Sequence, residues 1–184
     1  MEGLDKQRAK DIRYLRMARI WSENSYVIRL KVGCLIVSKE GNVISDGYNG
    51  TPRGFENVCE YSSDPSHEPF STLPDARRRA HLLKLSRSGE ISLISKPYVL
   101  HAEANAITKL ARSTQSSDGA TLYCTDMPCM ECSKLIIQSG IRRVVYERPY
   151  RITDGVEILR RAGIEVVNIP SVEIENFAKL QEKE

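Results

Sequence analysis

The sequence predicts a three-layer α/β domain whose later strands run parallel, and three observations carry that expectation. From about residue 102 onward, helical and strand-like patterns alternate. Gly140 and Gly163 stand where helix C-terminal caps would precede the next strands. A length of 184 residues, 41% of them hydrophobic, suffices for one sizeable core, so a single domain over 1–184 is expected.

The elements follow in order. Residues 4–21 place Ile12, Leu15, Met17, Ala18 and Trp21 largely at helical spacing among charged residues, which predicts an amphipathic opening helix. Residues 32–37 form a short apolar run, followed by Lys39-Glu40-Gly41-Asn42 and a β-rich run over 43–48. That is a hairpin with a glycine-containing turn. Residues 49–97 carry Thr51-Pro52-Arg53-Gly54, Asp64-Pro65, Pro69 and Pro74, so they read mainly as loop, with an insertion at about 55–97. One helix is expected inside it, over 75–87, where Leu82, Leu83 and Leu85 stand among Arg77, Arg78, Arg79, Lys84 and Arg87. Its basic face reads as solvated, with a phosphate-facing or subunit-facing role as the alternative. Beyond it come helix 102–112, strand 121–125, helix 129–139, strand 143–146, helix 153–162, strand 165–168 and a C-terminal helix after Pro170.

Composition narrows the function classes. A net charge of +3 and 7% aromatic residues give weak support to a nucleic-acid partner, and fit a phosphorylated small molecule equally well. The opening Met-Glu-Gly-Leu-Asp-Lys-Gln-Arg is too charged for a signal peptide, and no apolar run approaches the roughly 20 residues of a membrane helix. A cytoplasmic location with no membrane partner is expected. Two of the five cysteines sit in Cys-x-x-Cys, which in a reducing compartment points to a metal rather than a disulfide framework. Cys34 and Cys124 lie in apolar strand-like runs and read as core.

The chemistry concentrates in His101-Ala102-Glu103 and, 25 residues further on, Pro128-Cys129-Met130-Glu131-Cys132. One imidazole and two thiolates give zinc three ligands and leave its fourth tetrahedral position to water, as a catalytic site requires. Cys129 and Cys132, three apart, face the same way in a first helical turn that Pro128 suits, and thiolates there gain from the helix dipole. His101 and Glu103, two apart, would point about 200° away from one another on a regular helix. His101 must therefore enter non-helically, with Glu103 in the first turn. There Glu103 can take a proton from the water and deliver protons to a ring nitrogen and a leaving amine. Partial burial raises its pKa and the metal opposes the shift; the residues leave that balance open. The alternative is a structural zinc, with a fourth ligand from Cys34, Cys59, Cys124, His67 or His81, in which Glu103 has no use.

The His-x-Glu and Pro-Cys-x-x-Cys signature is that of zinc-dependent nucleobase deaminases. Together with Val32-Gly33-Cys34-Leu35-Ile36-Val37, Gly47-Tyr48-Asn49-Gly50-Thr51-Pro52, the run from His101 to Ile107 and the run from Pro128 to Ile137, it makes the chain resemble the deoxycytidylate deaminase family over about residues 10–170. The resemblance implies a cytidine-deaminase-like fold, a three-layer α/β/α arrangement around a central mixed sheet of about five strands. It implies zinc-dependent hydrolytic deamination of dCMP to dUMP with release of ammonia, one catalytic zinc, a homo-oligomer (often a hexamer in this family), and dCTP and dTTP as effectors near the Gly54-Phe55-Glu56 loop. By position, Asn49 is expected to hydrogen-bond the sugar or base, with a plain turn residue as the alternative. Arg29 and Lys31, with Arg53 behind them, are candidate phosphate ligands, the alternative being solvated surface charges. Some longer relatives carry a second, structural zinc in the insertion. Cys59 with His67 or His81 could supply it, but a buried cysteine and two surface histidines are the favoured reading, so a second zinc is not expected. The competing functions are deamination of another small base or nucleoside, such as guanine, cytidine or a riboflavin precursor, editing of nucleic acid, and a non-catalytic zinc-binding accessory protein of the same fold.

Overall fold

The most continuously apolar runs of the chain become the interior strands of its sheet. A computed structural model describes residues 6–181. In chain order these form α1 (Lys6–Ser22), β1 (Gly33–Val37), β2 (Val43–Tyr48), β3 (Glu60–Ser62), α2 (Asp75–Ser88), β4 (Leu93–Ser95), α3 (Ala102–Leu110), β5 (Thr121–Asp126), α4 (Met130–Gln138), β6 (Arg143–Arg148), α5 (Asp154–Arg161), β7 (Glu165–Asn168) and α6 (Ser171–Gln181). Five strands make one mixed sheet in the order β2-β1-β5-β6-β7. β1 is antiparallel to both its neighbours, while β5, β6 and β7 run parallel through the helices between them.

The two-residue period of the strands then sorts the core into two layers. Cys34, Ile36, Leu122, Cys124 and Val144 pack with Ala102 and Ala106 of α3, Ile136 of α4 and Leu159 of α5. Leu35, Val37, Tyr123 and Val145 pack on the other face with Ile12, Leu15 and Ala18 of α1 and with Ile174 and Phe177 of α6. The expected three layers around a mixed five-stranded sheet are thus what the chain forms. Among the described residues, no helix is long and apolar enough to cross a membrane.

Two details differ from the sequence reading. Met17 and Trp21 are exposed, at 44% and 37%, because the buried stripe of α1 runs through Asp11, Ile12, Leu15 and Ala18. The Trp21 indole instead donates to Asp46 at 2.6 Å. The insertion is also more ordered than a loop with one helix, since β3 and β4 pair antiparallel in a small second sheet. Three-residue strands are too short for alternation to show. Behind them Val58, Leu82, Leu85 and Ile91 make a separate core, against which Ile28 packs.

One close approach sets the position of α3. A Cβ on Gly47 would lie 2.1 Å from the Ala102 carbonyl oxygen and 2.7 Å from the Ala106 nitrogen. Only a glycine lets the helix backbone rest on β2, and Ser45 Oγ adds a bond to the Ala106 carbonyl at 2.7 Å.

On the opposite face, the buried Asp11 carboxylate accepts from Arg143 Nη1 and Nη2, each at 2.8 Å, and from the Tyr123 hydroxyl at 2.8 Å. Burial alone would push this carboxyl up, but the bonds from Arg143, Tyr123 and Gln7 together hold it below its usual range. A depressed folded-state pKa contributes stability that is complete above the ordinary carboxylate value and is lost as pH falls through the folded one. Arg143→Met should therefore cost about 3–5 kcal/mol in urea unfolding at neutral pH, with the gap to the parent narrowing as the pH is lowered through the carboxylate range. An equal gap at both ends of that range would contradict the assignment.

Candidate metal centre

Two helices begin at the same point, and both begin with a residue that is not helical. His101 caps the N-terminus of α3 at φ −74°, ψ 156°, and Cys129 caps that of α4 at φ −77°, ψ 171°. Extended backbone at these positions places both side chains at the same junction, which resolves the problem of His101 and Glu103 standing only two residues apart. His101 Nδ1 lies 3.4 Å from Cys129 Sγ and 3.4 Å from Cys132 Sγ. The three ligand atoms all lie within 4.8 Å of one another, and among the described residues no fourth histidine, cysteine or carboxylate joins them.

That spacing fits zinc. Bonds of about 2.3 Å to sulfur and 2.0–2.1 Å to nitrogen, meeting at a tetrahedral angle, put nitrogen and sulfur about 3.6 Å apart. The three residues range from exposed His101 through half-buried Cys129 to buried Cys132, so the set reaches the surface on the His101 side. Their electrostatics already favour a cation. Hydrogen bonds from Cys132 and His101 hold the Cys129 thiol down to about 3, against the effect of burial. Its bond to Cys129, and then burial, push the Cys132 thiol up. The bond to Cys129 raises His101 as well. A thiolate with two neighbours holding protons on its account is a site where a metal can replace those protons.

Glu103 stands in the first turn of α3, only 4% exposed. Burial raises its carboxyl to about 7, although its backbone hydrogen bond and His101 pull the other way. The carboxyl can therefore hold or release a proton near neutral pH. Below it, Cys34 and Cys124 sit opposite one another across β1 and β5, fully buried, with burial pushing both thiols up and the Glu103 charge adding to it.

The remaining expected site residues are distributed differently. Asn49 is buried and its amide is committed within the fold: Oδ1 accepts from Val32 N at 2.9 Å and Ser25 Oγ at 2.7 Å, and Nδ2 donates to the Leu30 carbonyl at 2.8 Å. Arg29 and Lys31 are exposed on that same segment, with Arg29 Nη1 donating to Ser95 Oγ at 3.1 Å and Lys31 Nζ to the Glu23 carbonyl at 3.2 Å. Arg53 is not with them. It lines a cleft of about 360 Å³ together with Tyr26, Phe55, Asn57, Asn105 and Lys109. In the insertion, Cys59 is buried, His67 bonds to Asp64, and His81 bonds to the His67 carbonyl.

The sequence reading missed one pair at the ends of the parallel strands. Asp126 and Arg148 are register partners across β5 and β6, joined by Nε–Oδ1 and Nη2–Oδ2 bonds of 3.0 and 2.5 Å, and Arg148 also reaches the Lys31 carbonyl at 3.3 Å. Opposite charges closing two successive strand runs were the available signal, but it identifies a pair only once the strands are known to be neighbours.

Comparison with known proteins agrees with this geometry. Residues 8–148 match the model of the cytidine and deoxycytidylate deaminase zinc-binding region. The deoxycytidylate deaminase of Enterobacteria phage T4 is 38% identical over 171 residues, covering 85% of this chain and 88% of the phage protein. The human deoxycytidylate deaminase is 33% identical over 134 residues, 72% of this chain and 61% of that one. Among solved structures, the dCMP deaminase of cyanophage S-TIM5 in complex with dCMP and dUMP is similar with a TM-score of 0.66 at 34% identity, covering 90% of this chain and 99% of the cyanophage chain.

If the three residues are the ligands, Cys132→Ala should lose stoichiometric zinc, as elemental analysis of the purified protein would reveal. Tight one-to-one zinc in that variant would mean the ligand set is misassigned.

Proposed function

Because the chain belongs to the cytidine and deoxycytidylate deaminase family, we propose that it hydrolyses dCMP to dUMP and ammonia, with His101, Cys129 and Cys132 holding the metal and Glu103 moving the protons. The observation that carries this reading is the buried carboxyl of Glu103 at the start of the helix whose cap is His101, beside a three-ligand set that fits zinc. Similarity to the cyanophage protein whose structure holds dCMP and dUMP supports the substrate.

Zinc bound at these residues supplies the Lewis acidity that makes water nucleophilic near neutral pH. Glu103 takes a proton from the water that attacks C4 of the cytosine and passes it to ring nitrogen N3. It then carries the second proton to the amine, the C4–N bond breaks, and ammonia leaves while the oxygen stays on C4. Water and dCMP are consumed one for one. A structural site has no use for this carboxyl, whose burial costs free energy.

Arg29 and Lys31, exposed on the segment that enters β1, are proposed to receive the 5′-phosphate. Control by dCTP or dTTP belongs to the same reading, and the cleft with Arg53, Lys109, Tyr26 and Phe55 has the cations and aromatic faces a nucleotide would use. Self-association is supported by the exposed Met17, Ile20 and Trp21 on one helix.

Ammonia release on equal concentrations of dCMP, CMP, deoxycytidine and guanine, each with and without dCTP, tests the assignment. Turnover confined to dCMP is expected, and turnover on another substrate instead would overturn the substrate while keeping the chemistry. Glu103→Ala should keep its zinc and lose about 10²–10⁴-fold in kcat; full activity in that variant would refute the proton role.

A further inference from the structure

Residues 28–32 lead into β1, and side chains hold five of their ten backbone N–H and C=O groups. Glu60 Oε1 accepts from the Ile28 N–H at 2.8 Å and the Arg29 N–H at 3.2 Å. Asn49 Nδ2 donates to the Leu30 carbonyl at 2.8 Å, Arg148 Nη2 to the Lys31 carbonyl at 3.3 Å, and Asn49 Oδ1 accepts from the Val32 N–H at 2.9 Å. Among the described residues, the one backbone–backbone bond made by this segment's groups is from Asn49 N to the Val32 carbonyl, at 3.2 Å. A segment fixed in this way is neither a strand nor a loose loop. Its conformation is set in advance by three residues drawn from β3, the end of β2 and the end of β6.

Its location is equally specific. Gly33, which follows it, donates to Thr125 Oγ1 at 3.2 Å, and Arg148 ties it to Asp126 at the end of β5, three residues before Cys129. The segment therefore lies at the C-terminal ends of the parallel strands, where open α/β sheets bind ligands.

The member contributed by the insertion is the most unusual of the three. Glu60 is 0% exposed, and its second oxygen, Oε2, has no hydrogen-bond partner among the described residues. The buried Lys96 is not its counter-ion, because Lys96 Nζ bonds to Glu56 at 2.7 Å. A carboxylate taken out of water to bind two backbone N–H groups is a costly clamp. The small sheet completes it, since Ser95, the register partner of Glu60 on β4, accepts from the Arg29 guanidinium. Further along, Arg79 of α2 lies 4.5 Å over the Tyr26 ring.

We propose that Glu60 is a positioning residue for substrate: through the Ile28 and Arg29 N–H groups it fixes the direction of the Arg29 side chain, and so makes the insertion a buttress for recognition of the nucleotide 5′-phosphate. The proposal rests on the dCMP reading above. It predicts a loss that falls on binding of the phosphate, not on chemistry at the base.

The test uses the full zinc-loaded chain and compares Glu60→Ala, Glu60→Gln and the parent in dCMP kinetics and in competitive inhibition by dUMP and by deoxyuridine. Glu60→Ala should raise the dCMP KM and the dUMP inhibition constant about tenfold, as expected for losing charge-assisted bonds, with kcat and deoxyuridine inhibition changing less than about twofold. Glu60→Gln keeps one acceptor oxygen and should stay within about threefold of the parent. If Glu60→Ala does not accumulate as folded protein, Glu60→Asp, with its carboxylate withdrawn by one methylene, should show the same selective rise. Equal losses for dUMP and deoxyuridine, a fall in kcat alone, or no change would overturn the positioning role. A parent protein without dCMP turnover would instead overturn the functional reading on which the role rests.

Discussion

Two helix N-termini converging on one point is the constraint on which the rest of this structure depends. The candidate ligands come from two chain segments separated in sequence, and a shift of an ångström in either helix would open the 3.4 Å separations between His101 Nδ1 and the two sulfurs. Each helix is accordingly seated by a close backbone approach. α3 rests on β2 at Gly47, and α5 rests on the start of α4 at Gly155, where a Cβ would lie 2.4 Å from the Pro128 carbonyl oxygen. At the metal end, both caps are extended, so the helix dipoles and the free N–H groups of two first turns meet around the thiolates.

The far face of the sheet carries its own buried charges, and these are fully paired. Asp11 is bound by Arg143 and Tyr123, and Glu147 accepts from Arg19 at 2.7 Å and from Ser171. The charged groups on the catalytic face are treated differently. Among the described residues Glu103 has no ion-pair partner within bonding distance, and burial moves it toward neutral pH, whereas Asp11 and Glu147 are held low by their partners once burial is overcome. One sheet thus carries carboxylates fixed in one state for stability and another left free to change state.

Much of this was legible in the residues. Every helix and strand of the central sheet was readable because each has an apolar run of its own or a terminating glycine, as at Gly140 and Gly163, both with positive φ. The cluster of His101, Cys129 and Cys132 was legible because ligand chemistry restricts residue type so tightly. The lone spacing puzzle, His101 two residues before Glu103, correctly forced a non-helical entry. What was not legible depends on neighbours brought from elsewhere. The β3–β4 pair joins segments about 30 residues apart, each too short for a pattern. The exposed Met17 and Trp21 have the spacing of core residues but lie outside the buried stripe of α1. Asn49 looked like a turn or ligand residue, and its amide turned out to hold the segment before β1. Glu60 and Arg148 act on that same segment through its backbone, which leaves no mark in sequence.

The measurement that tests the central claim most directly is zinc-edge X-ray absorption on the purified protein, because it counts the atoms at the junction of the two helices. A catalytic centre of the kind described predicts two sulfur neighbours at about 2.3 Å and two lighter neighbours at about 2.0 Å, one of which exchanges when a product-like nucleotide is added. Three or four sulfurs, or a shell that nucleotide does not disturb, would make the site a closed structural one and contradict the account.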